Sequence, residues 1–228
     1  MEKFSLRRAI CVIIGNLIIG FFVALLKLSG MGNDPFGAMN MALSEGFSLP
    51  VGHLQLIVNI ILLTIQLIFG RKFLGFGSVV NLFFLGYIVQ YSLKLLYFLL
   101  GNTYEPNLFL RIVIMAIALL GISFGLSMYQ LSALGVSPYD YLSIGMTDRF
   151  KNKYFLNRII TDMACIAIIL TAFAVGIVKS NQLNLGVGTI IAAFGLGPFV
   201  AFFNKINQKI ISPSKDKTPV AERTKINV

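Results

Sequence analysis

Arg158 and Asp162 are ionisable residues inside a long apolar stretch of the sequence. Their spacing of four places both on one face of a helix, near enough to form an ion pair. A charge deep in a membrane costs roughly 2.5–3.5 kcal/mol on insertion scales, so such a group usually faces a partner, a cavity or a pathway. The pair therefore predicts either part of a solute pathway or a buried salt bridge that fixes helix packing, and the general tendency of intramembrane charges favours the pathway.

A second candidate site is the segment Asp34-Pro35-Phe36, which has a counterpart in Ser137-Pro138-Tyr139. Asp or Ser suits the N-cap of a helix, and Pro suits its first position. The Asp34 carboxylate could bind a cation or only cap its helix, and capping is the commoner use of Asp-Pro. Helix N-termini also present free N–H groups and partial positive charge, which suit an anion or another polar group. We expect short helices at about 36–47 and 138–150.

These two segments belong to an internal repeat. A constant offset of 103 residues aligns Ser29 with Ser132, Gly32 with Gly135, Pro35 with Pro138, Phe36 with Tyr139, Glu45 with Asp148 and Asn59 with Asp162. A second pair of motifs, Gly75-Phe-Gly77-Ser78 and Gly186-Val-Gly188-Thr189, matches after an insertion of eight residues. Their Ser78 and Thr189 are expected to cap the helices that follow. The chain is therefore interpreted as a duplicated unit.

The composition places this unit in a membrane. The 228 residues are 57% hydrophobic and 12% charged, with a mean hydropathy of +0.82, more apolar surface than a single water-soluble core can bury. Stretches of about 20 apolar residues are long enough to cross a bilayer as helices. Six such stretches occur, at about 9–29, 54–70, 78–100, 109–131, 155–178 and 188–207. The lipid bilayer is therefore an expected partner.

The positions of the basic residues predict the orientation. A net charge of +10 would suggest nucleic acid in a soluble protein, but here most Lys and Arg fall on one side of the six spans. Short cytoplasmic loops carry such an excess, so both termini are predicted to be cytoplasmic and no nucleic-acid partner is expected. With three spans in each half, the second half must enter the membrane inverted relative to the first, as in many transporters.

The expected fold is an all-α polytopic membrane protein. Its six transmembrane helices form two inverted-topology three-helix repeats, each with a short extra helix after its first span. The predicted divisions are a first membrane repeat at 1–101, an external linker at 102–107, a second membrane repeat at 108–211 and a disordered cytoplasmic tail at 212–228. The short helices could dip into the bilayer toward a central pathway or lie flat at its surface.

Several of these motifs together resemble a known family. They are the Gly-x-x-x-Pro-(Phe/Tyr) element after the first span of each half, Arg158 with Asp162, and Gly186-x-Gly188-Thr189 with Gly197-Pro198. This set is similar to the YczE/YyaS/YitT family of bacterial integral membrane proteins. The resemblance implies a multi-pass protein of the bacterial plasma membrane, and it supplies no substrate or mechanism. Members similar to YitT also carry a soluble C-terminal domain, and no role tied to that domain is transferred to this chain.

The sequence contains no motif of a familiar enzyme or metal site. It has no Gly-x-x-x-x-Gly-Lys-(Ser/Thr), His-Glu-x-x-His, Gly-x-Ser-x-Gly or Cys-x-x-Cys. His53 is the only histidine and cannot make a metal site by itself, while Cys11 and Cys165 lie in predicted spans and are expected to pack there. We therefore expect no enzyme activity, no cofactor and no bound metal.

The favoured hypothesis is a small-solute permease or secondary transporter whose pathway lies at the interface of the repeats. The candidate substrate-binding residues are Asp34, Pro35, Phe36, Asn59, Gly75, Gly77, Ser78, Ser137, Pro138, Tyr139, Arg158, Asp162, Gly186, Gly188 and Thr189. Asn59 stands in the place of Asp162, and an interhelical hydrogen bond is its simpler role. The alternative is a non-catalytic accessory or regulatory membrane protein acting through a partner complex. A homo-oligomer or a membrane partner protein is left open.

Overall fold

The structure is a computed structural model that describes residues 5–101, 104, 106–152 and 154–211. The described residues contain eight α-helices, two short 3-10 helices and no strand. The helices are α1 (Leu6–Leu28), α2 (Pro35–Gly46), α3 (Val51–Phe69), α4 (Phe76–Leu100), α5 (Leu108–Leu131), α6 (Pro138–Phe150), α7 (Tyr154–Ala174) and α8 (Val187–Ile211). The 3-10 helices are Arg71–Phe73 and Ser180–Gln182. The predicted tail at 212–228 and residues 102, 103 and 105 of the predicted linker lie outside the described residues.

Six helices, α1, α3, α4, α5, α7 and α8, are long and apolar enough to cross a membrane. Each begins within about three residues of its predicted start, because the apolar runs set the length of a spanning helix. Large apolar side chains cover the outer faces, and Phe98 is 85% exposed. Such a surface suits lipid and would be unusual in water. The prediction of an all-α protein with six membrane helices and two short ones is confirmed.

Helices α1 and α5 cross in opposite directions at the centre of the bundle. A Cβ added to Gly15 would lie 2.9 Å from the carbonyl oxygen of Gly125, and one added to Gly125 would lie equally close to the oxygen of Gly15. Further along α1, the ring of Phe22 covers Gly121, which comes earlier in α5. Residues later in α1 therefore contact residues earlier in α5, so the two helices are antiparallel. Small residues let the two backbones approach closely, as in other membrane helix pairs.

Each central helix also packs against a parallel neighbour, α4 beside α1 and α8 beside α5. The contacts that show these directions are Asn16 with Asn81 and Gly20 with Ile88 in the first pair, and Met115 with Gly188 and Ser127 with Asn207 in the second. We call the side of the bundle at which α1 begins the near side and the opposite one the far side. Helices α1 and α4 run from near to far, and α5 and α8 run from far to near.

The short helices α2 and α6 lie along α7. In α6, Thr147 accepts a hydrogen bond of 2.8 Å from Asn157, and Ser143 pairs with Thr161 at 2.9 Å, so α6 covers the first half of α7 in the antiparallel sense. Helix α2 covers the second half, where a Cβ on Gly46 would touch the backbone after α7 at Ile177. The two short helices therefore lie end to end along one spanning helix, with their N-termini together.

Candidate functional site

The N-termini of α2 and α6 meet at Phe36 and Tyr139, the second residue of each helix. Their rings stack with centroids 4.1 Å apart and planes 15° apart. Tyr139 also reaches Asp162, which lies eight residues into α7, about 12 Å along an axis of about 31 Å at the usual rise per residue. The junction is thus deep inside the bundle. Short helices lying flat at the membrane surface do not fit this arrangement.

Arg158 lies between two carboxylates at this junction. Its Nη1 is 2.5 Å from Asp140 Oδ1, and its Nε is 3.4 Å from Asp162 Oδ1. The guanidinium carbon stands 4.7 Å from the centre of the Tyr139 ring, within the range of a cation–π contact. The Tyr139 hydroxyl donates a hydrogen bond to Asp162. All three charged side chains are largely buried, at 19% exposure for Arg158 and 6% or less for the carboxylates.

Asp140 is a site residue that the sequence did not single out. It follows Ser137 by three positions in the first turn of α6, where an acidic side chain is normally explained by helix capping. It does take part in the cap, since its Oδ2 accepts a 2.8 Å hydrogen bond from the Ser137 hydroxyl. Its other oxygen pairs with Arg158, a contact 18 residues away that no local pattern could indicate.

Both helix N-termini are capped by side chains of the chain itself. Asp34 Oδ2 accepts a 3.0 Å hydrogen bond from the N–H of Gly37, and Ser137 Oγ accepts one of 3.0 Å from the N–H of Asp140. The sequence suggested that these N-termini could bind an anion or another polar group. In the structure, the side-chain oxygens of Asp34 and Ser137 already accept hydrogen bonds from N–H groups there. Asp34 does cap its helix, yet its Oδ1 is buried without a hydrogen-bond partner.

A cavity of about 70 Å³ opens beside this junction, between the two halves of the chain. Five predicted site residues line it, namely Asp34, Phe36, Ser137, Tyr139 and Arg158. Four polar residues outside the predicted set also line it, namely Asn40, Gln55, Asn81 and Asp140. The sequence shows polar residues in α2, α3 and α4, but it cannot show which of them face one another. Pro35 and Pro138 open the two short helices, and Asp162 reaches the site through Tyr139 and Arg158.

The glycine turns before α4 and α8 hold the loops that lead into the short helices. The N–H of Gly188 donates a 2.7 Å hydrogen bond to the Met31 oxygen, and the N–H of Gly77 donates one of 2.7 Å to the Leu134 oxygen. These two contacts, which we call the clasps, lie on the far side and the near side respectively. The clasp residues are absent from the cavity lining. Their observed role is to fix the loops that deliver α2 and α6 to the junction.

The clasps leave no space for a side chain on the loops. A Cβ on Gly32 would lie 2.6 Å from the Gly186 nitrogen, and one on Gly135 would lie 2.6 Å from the Gly75 nitrogen. Both loop glycines have positive φ, +100° and +114°, a conformation that L side chains rarely adopt. Glycine is required at these positions for two independent reasons.

Ser78 and Thr189 are not N-caps, contrary to the sequence prediction. Helices α4 and α8 begin earlier, at Phe76 and Val187. The two side chains instead reach back, since Ser78 Oγ accepts from the N–H of Gly75 at 3.3 Å and Thr189 Oγ1 accepts from the N–H of Gly186 at 3.2 Å. Ser78 Oγ also donates a 2.6 Å hydrogen bond to the carbonyl oxygen of Val136. Both residues therefore stabilise the clasps.

Asn59 lies apart from the cavity. Its side chain is buried, and neither its amide nitrogen nor its amide oxygen has a hydrogen-bond partner, so the expected interhelical hydrogen bond is not observed. His53 packs against the ring of Tyr87 with centroids 5.5 Å apart. Within the described ranges, no three His, Cys, Asp or Glu side chains come close enough to hold a metal ion.

A family model described as a family of unknown function (DUF6198) matches residues 6–205. The chain belongs to this family. It is similar to the uncharacterized protein YyaS of Bacillus subtilis (strain 168), with 28% identity over 146 residues that cover 64% of this chain and 71% of the relative. It is also similar to the uncharacterized membrane protein YczE of the same organism, with 24% identity over 59% of this chain and 60% of the relative. These matches confirm the family resemblance.

A relative from Haemophilus influenzae, described only as an uncharacterized protein, covers more of the chain. It is 24% identical over 189 residues, which are 83% of this chain and 79% of the relative. No solved structure matches the chain. The comparisons therefore support a multi-pass membrane protein, and its activity has to be argued from the site.

Proposed function

We propose that this protein is a small-solute permease or secondary transporter of the bacterial plasma membrane, and not an enzyme. The observation that carries the proposal is the buried cluster of Arg158, Asp140 and Asp162 beside a cavity at the junction of two short helices. Ionisable groups inside membrane bundles usually mark a solute or ion pathway. Transporters commonly build their sites from broken helices that end near the bilayer midplane.

The proposed pathway runs between two inverted repeats. The directions of the helices support this arrangement, because α1 and α4 run oppositely to α5 and α8. The matched clasps of Gly188 with Met31 and of Gly77 with Leu134 also support it, since each joins equivalent residues of the two halves on opposite sides of the bundle. A pathway at the interface of such repeats can open to either side by related movements of the two halves.

The near side is proposed to face the cytoplasm. Among the described residues, the basic side chains that fall there include Arg7, Arg8, Arg71, Lys72, Arg149 and Lys151, against Lys27, Lys94, Arg111 and Lys179 toward the far side. Cytoplasmic loops carry such an excess of Lys and Arg. Both termini of the chain would then be cytoplasmic.

The test is solute entry into vesicles that contain the purified protein. Stopped-flow light scattering would follow recovery of volume after an osmotic step with glycerol, urea, alanine, methylammonium chloride and sodium chloride in turn. We expect at least one of these solutes to enter faster than into protein-free vesicles, and Asp162→Asn to slow its entry. Asp148→Asn is the matched control, because it removes the same charge from a surface ion pair outside the cavity. Equal rates with and without protein for every solute would contradict the proposal.

A further inference from the structure

We propose that the cavity binds a compact monovalent cation, either an alkali metal ion or an ammonium group, against Asp34 and Asn40. The claim that this cation is the transported solute rests on the proposed permease function. Binding of the cation is inferred from the geometry of the cavity alone and is tested separately. It extends the site beyond the Arg158 cluster, to side chains that the cluster leaves without partners.

Two residues that line the cavity each have a buried acceptor oxygen without a donor. Asp34 Oδ1 and Asn40 Oδ1 are both inaccessible to solvent and without a hydrogen-bond partner, and both residues line the cavity. Asn40 is 1% exposed, and its amide nitrogen donates a 2.8 Å hydrogen bond to the Phe36 oxygen, which assigns the other atom as the acceptor. Buried polar atoms are almost always paired in folded proteins. Two unpaired acceptors on residues that line one cavity therefore indicate a ligand that donates hydrogen bonds or is itself a cation.

The charges near the cavity favour a cation over a neutral donor. The described part of the site holds three carboxyl groups and one guanidinium: Asp140 and Asp162 pair with Arg158, and Asp34 lines the same cavity. A buried excess of negative charge is costly unless a positive charge balances it. A neutral solute would satisfy the two acceptors and leave this imbalance unchanged, whereas a monovalent cation reduces it.

The same contacts disfavour an anion. The helix N-termini that would bind an anion are capped by Asp34 and Ser137, and the guanidinium of Arg158 is held between two carboxylates. An anion in this cavity would meet unpaired acceptor oxygens and surplus negative charge. Both features repel it.

The size of the cavity limits the ligand. Its 70 Å³ is several times the volume needed for one water molecule, so it holds a small ion with a few waters or a primary ammonium group. Hard cations such as alkali ions prefer carboxylate and amide oxygens, and an ammonium group donates hydrogen bonds to the same atoms. The quaternary nitrogen of choline carries no N–H group, so it cannot donate hydrogen bonds to these two oxygens as a primary ammonium group does.

The experiment measures binding to the purified full-length protein in detergent. Radiolabelled sodium, rubidium as a stand-in for potassium, and methylammonium would each be tested by scintillation proximity, with choline chloride holding the ionic strength constant. We expect saturable binding of at least one of these cations and at least tenfold weaker binding in Asp34→Asn and Asn40→Ala. Asn caps helices as well as Asp does, so Asp34→Asn keeps α2 intact.

Glu45→Gln is the matched control. Glu45 lies near the C-terminus of α2, whose N-terminus Asp34 caps, and it carries the same charge, but it pairs with Lys27 at the surface and is absent from the cavity lining. Its substitution should leave cation affinity unchanged within twofold. The proposal is overturned if none of the three cations binds saturably, if Asp34→Asn binds as tightly as wild type, or if choline competes as well as the bound cation.

The vesicle and binding experiments fail in different ways. Cation binding without solute entry would contradict the permease function and leave the cation site standing. Entry of glycerol or urea without binding of any cation would contradict the cation site and leave the permease function standing. Competition among sodium, rubidium and methylammonium then decides whether a metal ion or an ammonium group is the preferred ligand.

Discussion

Phe36 and Tyr139 stack face to face although 103 positions separate them in the chain and each occupies the same place in its half of the repeat. The contact joins the N-terminus of α2 to that of α6 at the cavity. A stacked aromatic pair contributes only about 0.5–1.5 kcal/mol beyond the area it buries. The stacking geometry itself therefore adds little to the interactions that hold the two N-termini together.

Tyr139→Phe should lower stability while it preserves the ring stack. The hydroxyl donates to Asp162 and accepts a 3.7 Å hydrogen bond from the Cys165 thiol. Losing a hydrogen bond to a charged group costs about 1.5–3 kcal/mol. Unfolding in detergent, followed by circular dichroism, measures the change. Tyr91→Phe is the control because Tyr91 is 62% exposed, and equal losses in both variants would contradict the prediction.

Arg158→Gln should be more damaging than removal of the whole charged cluster. It leaves Asp140 and Asp162 buried without the guanidinium that pairs with both. Breaking a buried ion pair by removing one partner costs about 3–5 kcal/mol, whereas removing all of its charges is often close to neutral. The triple variant Arg158→Gln, Asp140→Asn, Asp162→Asn should therefore be more stable than the single one. A triple variant as unstable as Arg158→Gln would show that packing, and not charge, is responsible.

Much of the architecture could be predicted from the six long apolar runs and from the constant offset of 103 residues between the two halves. Six spans need about 20 apolar residues each, and Pro35 and Pro138 indicate helix starts by their chemistry alone. The i,i+4 spacing of Arg158 and Asp162 similarly predicted the contact now seen at 3.4 Å. These features are local, so the sequence carries them directly.

The contacts of the site that join distant parts of the chain could not be predicted from local sequence patterns. Asn40 and Gln55 line the cavity because α2 and α3 face it, and Asp140 pairs with Arg158 across two helices. Which face of a helix points toward the cavity depends on tertiary packing. A single sequence indicates that face only through amphipathicity, and amphipathicity is weak in a helix whose outer side contacts lipid. The start of α4 two residues before Ser78 was missed for a related reason, since the clasp with the Leu134 loop sets it.

Gly135→Ala should destabilise the protein more than Gly101→Ala. Both glycines have positive φ, +114° and +88°, so each substitution carries a backbone penalty of about 1–3 kcal/mol. Only the Cβ at position 135 would also meet backbone, 2.6 Å from the Gly75 nitrogen, while position 101 has nothing within 4 Å. The difference between their unfolding midpoints isolates the steric part of the clasp. Similar midpoints would show that the near-side clasp is loose.

Asp148→Asn should lower stability slightly at pH 7 and have no effect in acid. The hydrogen bond from Lys72, with the charges of Lys72 and Lys151, lowers the pKa of Asp148 below its ordinary value. Because the folded-state pKa is depressed, the stabilisation is present above the unfolded-state pKa and is lost as pH falls through the folded-state value. The pair lies at the surface, so the difference at pH 7 should be less than about 1 kcal/mol. The difference between the two proteins should shrink as the pH falls below about 3.9, the ordinary pKa of an aspartate, and a difference that keeps its size there would contradict an electrostatic cause.

Water should reach Gln55 from one side of the membrane. Gln55 lines the cavity, so Gln55→Cys should react with a small water-soluble methanethiosulfonate in the Cys11→Ser, Cys165→Ser background, where the two native, buried thiols are absent. Phe84→Cys is the control, because that side chain is 57% exposed on the apolar outer face and should lie in lipid, out of reach of the reagent. Gly77 is unsuitable for this test, since a Cβ there would lie 3.1 Å from the Tyr129 ring. If sodium or methylammonium slows the labelling of Gln55→Cys, water and the ligand occupy the same space. If Gln55→Cys does not react from either side, the cavity is closed to water and cannot be part of a pathway.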